Sequence, residues 1–190
     1  MTSTENPRRG ARGRTRRAIL RAAASVLAHD RNAPLSAVAE RAEVGRSTLH
    51  RYFPDRGALL AATFEESLSE MGRALEEARP EEGPALEAMR RVVSAHVEVI
   101  EWVVFAFGDP ANEVYMPDDA DPEPDFLLDL VRRGQDEGVL DPGSDPSWVV
   151  HVLWALLFTG MEQVEAGRMP RHSLAPTLIR TLEGGILARG

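Results

Sequence analysis

An all-α architecture is predicted by three observations. Apolar residues recur at intervals of three or four, as in Leu60, Phe64, Leu68, Met71 and Leu75, which is the period of a helix with one buried face. Breaks containing Pro, Gly or Asp separate these stretches at residues 30–34, 54–55, 80–84, 108–110 and 141–146, and such residues end helices. Within residues 36–56, Val38, Ala39 and Ala42 mark one short helical face, and Leu49 and Phe53 mark a second. Residues 42–45 must turn tightly between them. Two short helices joined by a three- or four-residue turn form a helix-turn-helix.

Taken in order, residues 1–14 are polar and interrupted by Pro7, Gly10 and Gly13, which predicts a disordered arm. Thr15 is the expected N-cap of a first helix reaching about residue 29, with Ile19, Ala22, Ala23, Val26 and Leu27 on its inner face. A second helix follows over 35–42, entered through Pro34. A third spans 46–52, held inward by Val44 and Leu49. Pro54 and Asp55 end it, and Asp55 caps a long fourth helix over 56–79. The fifth is expected over 85–107, with Met89, Val92, Val93, His96, Val99, Ile100 and Val103 as its stripe. Residues 109–124 read as an acidic, proline-rich loop with a short helical turn near 112–115. A sixth helix covers 125–137 and stops at Gly138. Asp145 caps a seventh over 147–166, and an eighth covers 173–188. The division expected is an arm at 1–14, a helix-turn-helix head at 15–60 and a helical body at 61–190, linked by the fourth helix.

Charge divides the chain in the same place. All 22 basic residues are Arg, so every side-chain cation other than His is a planar, permanently charged fork. Residues 1–60 carry 12 Arg against five acids, +7, whereas residues 61–190 carry ten Arg against 25 acids, −15. A basic head on an acidic body aims the head at a polyanion.

In a helix-turn-helix the second helix enters the DNA major groove. Here that helix carries Arg46, Ser47, Thr48, His50, Arg51 and Tyr52, groups able to hydrogen-bond base edges and phosphates. Arg46 and Thr48 are the base-edge candidates; the others suit phosphates. Arg56 would meet a phosphate in the first turn of the fourth helix, where amides also point at the anion. Arg16, Arg17 and the arm arginines Arg8, Arg9, Arg12 and Arg14 add electrostatic attraction or enter the minor groove; the plainer reading of the arm is a solubilising tail.

The residues Val44-x-x-x-Thr48-Leu49-x-x-Tyr52-Phe53-x-x-Arg56-x-x-Leu59-Leu60 resemble the signature of the TetR family of one-component repressors, over roughly residues 15–66. A weaker likeness covers 132–186, where Gly138-Val-Leu-Asp-Pro precedes two long apolar helices. Glu43 stands where the family usually has Gly, His50 where it usually has Tyr, and Arg56 where Lys is common. The resemblance implies a DNA-binding repressor acting on a palindromic operator. It makes Ser36 a weak candidate for a phosphate contact. It implies a homodimer, with the last two helices of each copy forming a four-helix bundle through Val149, Val152, Leu153, Leu156, Leu157, Leu178, Leu182 and Ile186. The other reading of these residues is that they close the monomer core. It also implies a small effector inside the body.

Pockets between helices are often lined by aromatic groups with a few polar ones. On that ground His96, Ile100, Trp102, Val103, Phe105, Phe107, Phe126, Trp148, His151, Trp154 and Phe158 are the effector-site candidates, although each taken singly also reads as core. No cofactor or metal is expected. The chain has no Cys and no H-E-x-x-H, P-loop or G-x-S-x-G motif, so the residues do not advertise an enzyme. No apolar run is long enough to span a membrane, and no signal-peptide core follows the basic N-terminus, so a cytoplasmic protein is expected. An activator, an architectural DNA binder and a helical interaction module remain the alternatives.

Overall fold

The computed structural model describes residues 7–116 and 125–187, and their regular structure is helical apart from one isolated antiparallel bridge between Leu140 and Leu187. The chain forms two compact units: Met1–Ser69 with Glu101–Tyr115, and Glu70–Ile100 with Met116–Gly190.

In the first unit α1 (Pro7–His29), α2 (Leu35–Arg41) and α3 (Arg46–Tyr52) precede the front of α4 (Arg56–Ala78). The helix α6 (Ile100–Phe107) and a 3₁₀ turn, Pro110–Tyr115, complete it. α1 packs on α2 and α2 on α3. Their shared core includes Ile19, Leu20, Val38, Leu49, Leu59 and Phe64, all fully buried; each such side chain contributes roughly 1.5–3 kcal/mol. α1 starts eight residues before the expected Thr15 cap, so Thr15 lies in its interior and residues 7–14 are helical rather than a disordered arm. Proline fits the first helical position because its φ is preset. Extending a helix whose later turns are packed adds residues without a new nucleation cost, and this outweighs Gly10 and Gly13. Residues 1–6 of the expected arm lie outside the described residues.

α4 begins where Asp55 Oδ1 accepts the Ala58 amide at 2.8 Å, the cap read from sequence. Its buried face is displaced from the expected line, however. Leu59, Thr63, Phe64, Ser67, Met71 and Ala78 are buried, while Leu60, Leu68 and Leu75 are half-buried. The Thr63 and Ser67 hydroxyls donate to the Leu59 and Thr63 carbonyls at 2.7 and 2.8 Å. Satisfied in this way, small hydroxyl side chains can be buried without an orphaned donor.

In the second unit α5 (Ala85–Glu98) packs on α7 (Asp125–Asp136) and α9 (Leu174–Ile186), and α8 (Pro146–Glu165) packs on α7 and α9. Asp145 caps α8, accepting the Trp148 amide at 3.1 Å. Arg91 closes the C-terminal end of α4 and braces the turn after it, donating to the carbonyls of Ala78, Arg79 and Glu82 at 2.6–2.9 Å; the Ala78 carbonyl is one that the helix end leaves without an intrahelical partner. The expected 85–107 helix is two helices. α5 ends at Glu98, and Val99 after it, with φ of −104° and ψ of 20°, leaves the helical region. The surrounding Val97, Val99, Ile100, Val103 and Val104 are β-branched and restrict χ1, which weakens helix propagation.

The body packing buries most of the expected dimer residues within the chain. Val149, Leu153, Leu157, Leu178, Leu182 and Ile186 are buried within the chain's own core; only Val152 and Leu156 keep half-exposed side chains. The reason is helix phase: residues three and four apart share a face, so the face that joins α8 to α9 takes one set and turns the neighbouring set outward.

Candidate nucleic-acid interface

Leu49 and Phe53 anchor α3 to the first unit, at 1% and 4% exposure. That anchoring turns Arg46, Ser47, His50 and Arg51 to solvent, with Thr48 and Tyr52 half-buried beside them. The turn before α3 is closed by the Glu43 amide on the Glu40 carbonyl at 3.0 Å and the Val44 amide on the Ala39 carbonyl at 2.9 Å. It requires φ of +55° at Glu43, a left-handed conformation that suits Gly. α3 is entered through Gly45 with no side-chain cap, so its first amides stay open to an acceptor. The Arg51 guanidinium lies 5.8 Å from the Tyr52 ring centroid, close enough for a cation–π contact.

The remaining candidates fall into different settings. Arg16 and Arg17 lie beside the head but reach Glu66 of α4, at 3.7 and 3.5 Å. The Arg16 guanidinium is also 5.8 Å from the centroid of Phe53. Arg56 turns inward: it donates to the Ala33 carbonyl at 2.7 Å and to the Arg31 carbonyl. Its donors therefore brace the α1–α2 turn, where the sequence suggested a phosphate contact. Ser36 is half-buried in the first turn of α2. Arg12 and Arg14 are exposed along the N-terminal extension of α1.

Sequence reasoning missed Glu66, and it missed the pairing of Arg31 with Asp109 at 3.0 Å. Both contacts join residues far apart in the chain, and no local spacing announces them. They sit in one unit with a cavity of about 360 Å³, lined in part by Leu27, Arg31, Arg56, Leu60, Phe105, Asp109 and Tyr115. Asn112, buried in its wall, donates from Nδ2 to the Phe105 carbonyl at 2.6 Å.

Of the effector candidates, only Phe105 lines that cavity. Ile100, Trp102 and Val103 are buried, while Phe126 and Phe158 are half-buried. Trp148 is 66% and Phe107 42% exposed, which does not fit a closed lining. His151 is exposed and donates from Nδ1 to the Ser147 carbonyl at 2.8 Å. His96 is buried and meets Trp154 edge-on, with ring centroids 5.2 Å apart. Its Nδ1–H donates to the Val92 carbonyl at 2.8 Å, leaving Nε2 as the acceptor of the neutral ring. Burial lowers the His96 pKa below its ordinary value, against a smaller opposing effect of the Val92 hydrogen bond.

A family model for bacterial regulatory proteins of the tetR family matches residues 19–63. The HTH-type transcriptional repressor LfrR of Mycolicibacterium smegmatis is 37% identical over 186 residues, covering 94% of this chain and 93% of the relative. The crystal structure of LfrR from Mycobacterium smegmatis superposes with a TM-score of 0.74 at 36% identity, covering 93% of this chain and 98% of that one. Its complex with proflavine gives a TM-score of 0.66 at 34% identity, covering 93% and 99%. The ketosteroid regulator KstR2 of Mycobacterium tuberculosis, at 16% identity and a TM-score of 0.68 over 92% of this chain and 95% of its own, shares the fold.

Proposed function

The chain belongs to the TetR family of bacterial regulatory proteins, and from that premise we propose that it is a transcriptional repressor released from DNA by a small molecule. It binds a palindromic operator as a two-fold dimer, with the two α3 helices in successive major grooves about 34–36 Å apart. The observation that carries this reading is the exposed face of α3, polar throughout and fixed by Leu49 and Phe53. Arg46 and Thr48 read base edges; Ser47, His50, Arg51 and Tyr52 hold phosphates.

Dimerisation uses the outer face of α8 and α9. Trp148, Val152, Ala155 and Leu156 on α8 and Ile179 on α9 are exposed or half-exposed there. The effector is a planar aromatic molecule, a reading supported by the proflavine complex of LfrR. Its release of DNA requires unequal affinity for the bound and free conformations. α4 contributes residues to both units without interruption, which makes it the element through which that difference is transmitted.

The test is selection of genomic fragments by the purified protein, read at two salt concentrations and repeated with proflavine as the probe. A palindromic site, a steep salt slope and weakening by proflavine are expected. Arg46→Ala or Tyr52→Ala is expected to weaken operator binding at least tenfold, a loss of about 1.4 kcal/mol or more, with the dimer intact. No preferred sequence, or parental binding by both variants, would remove the recognition-helix assignment. Operator affinity unchanged by saturating proflavine would remove this effector class.

A further inference from the structure

We propose that Glu66 is an intramolecular competitor of the DNA backbone, holding Arg16 and Arg17 away from phosphate and so setting operator affinity below what the head could reach. The proposal rests on the DNA-binding reading and adds a regulator of it.

Three observations carry it. One carboxylate serves two consecutive arginines with different oxygens: Oε2 lies 3.7 Å from Arg16 Nη1, and Oε1 lies 3.5 Å from Arg17 Nε. The acid is the enclosed partner, at 19% side-chain exposure, while Arg16 and Arg17 are 43% and 76% exposed. The arginines can therefore leave, and the carboxylate stays. Arg16 also stands 5.8 Å over the ring of Phe53, the residue that closes α3, which keeps this ion-pair cluster within the helix-turn-helix head.

The distances favour exchange. Charge-assisted N–H···O bonds run about 2.7–2.9 Å, and both contacts exceed that. Ion pairs this long and this exposed contribute little to stability, so a fold-holding role leaves the arrangement unexplained. A phosphate offers the guanidinium a bidentate partner and also releases condensed counterions from DNA. Either arginine is thus free to transfer from carboxylate to phosphate, but each transfer gives up attraction to Glu66, and the carboxylate left behind repels the backbone. Glu66 therefore subtracts from binding twice.

The experiment titrates the full-length chain on its selected operator. Parent, Glu66→Gln and Glu66→Ala are compared over a range of salt. Thermal unfolding checks that the variants fold. Both substitutions are expected to tighten binding about three- to tenfold at low salt, with the gain shrinking as salt screens the charge. Adding Arg16→Gln and Arg17→Gln to the Glu66→Gln chain is expected to erase the gain. Glu65→Gln, an equal change in net charge one residue away, is expected to give a smaller effect. Unchanged or weaker binding by Glu66→Gln would overturn the proposal and make Glu66 a positioning residue for the two arginines. Equal gains from Glu65→Gln and Glu66→Gln would reduce the effect to net charge and overturn it as well. Failure of the parent itself to select any operator would remove the DNA-binding reading, and this inference with it.

Discussion

Glu43 is held at φ of +55°, where a side chain costs roughly 1 kcal/mol or more that Gly would not. Glu43→Gly is therefore expected to stabilise the chain by about 0.5–1 kcal/mol, seen as a higher urea midpoint with an unchanged slope. A lower midpoint would show that the Glu side chain makes a compensating contact. The tight turn at residues 42–45 was legible because it is local, and the family resemblance, with Gly usual at this position, singled out Glu43. His96 illustrates the opposite case. Its place on an apolar stripe was legible, but its edge contact with Trp154 joins two helices with no local signal. Its lowered pKa has a pH consequence. The native ring stays neutral at pH values where the unfolded ring, near 6.5, takes up a proton, so the unfolded state binds more protons and stability falls as pH drops through that value. His96→Gln is expected to flatten the decline in melting temperature between pH 7.5 and 6.0; an unaltered decline would place the proton uptake on another group.

At the scale of elements, two of the three expected caps were read well, and helix starts, breaks and phases less so. Asp55 and Asp145 cap their helices as read, since capping depends on residues three positions apart. The buried face of α4 was misjudged because Thr63 and Ser67 count as polar in a sequence pattern yet bury completely once their hydroxyls bond one turn back. The α5–α6 break was missed for a related reason: Val99 continues the apolar period while its backbone departs from it. The contact between α8 and α9 depends on Gly160. A Cβ there would stand 2.4 Å from Leu174 Cδ1 and 3.2 Å from Leu178 Cδ2. Both leucines are buried, so the added methyl forces repacking. Gly160→Ala is expected to destabilise by about 1–3 kcal/mol, measured by urea unfolding at fixed protein concentration because dimer dissociation contributes. Parental stability would mean the leucines have room to turn aside.

At the scale of the whole molecule, the charge division was fully visible in composition, but the return of residues 101–115 to the first compact unit was not. The expected interface leucines illustrate the difficulty. A broad apolar helix does not say which face meets its own chain and which meets another copy. Leu156 is half-buried, while its neighbours Leu153 and Leu157 fill the core. Leu156→Glu is expected to leave the monomer folded and shift the protein from dimer to monomer at micromolar concentration, read by sedimentation, with loss of tight operator binding. A variant that remains dimeric would move the two-fold interface off this face.

The first compact unit is assembled from residues 1–69 and 101–115. Arg31 finds its acid, Asp109, in the later segment, and the ring of Phe64 lies 6.1 Å from that of Tyr115. A fragment cut after α4 would therefore lose part of its own interior. For anyone building hybrid regulators, the transplantable cassette is discontinuous: exchanging the DNA reader means grafting two stretches of chain together, and a simple N-terminal swap leaves a host's helix under a foreign head.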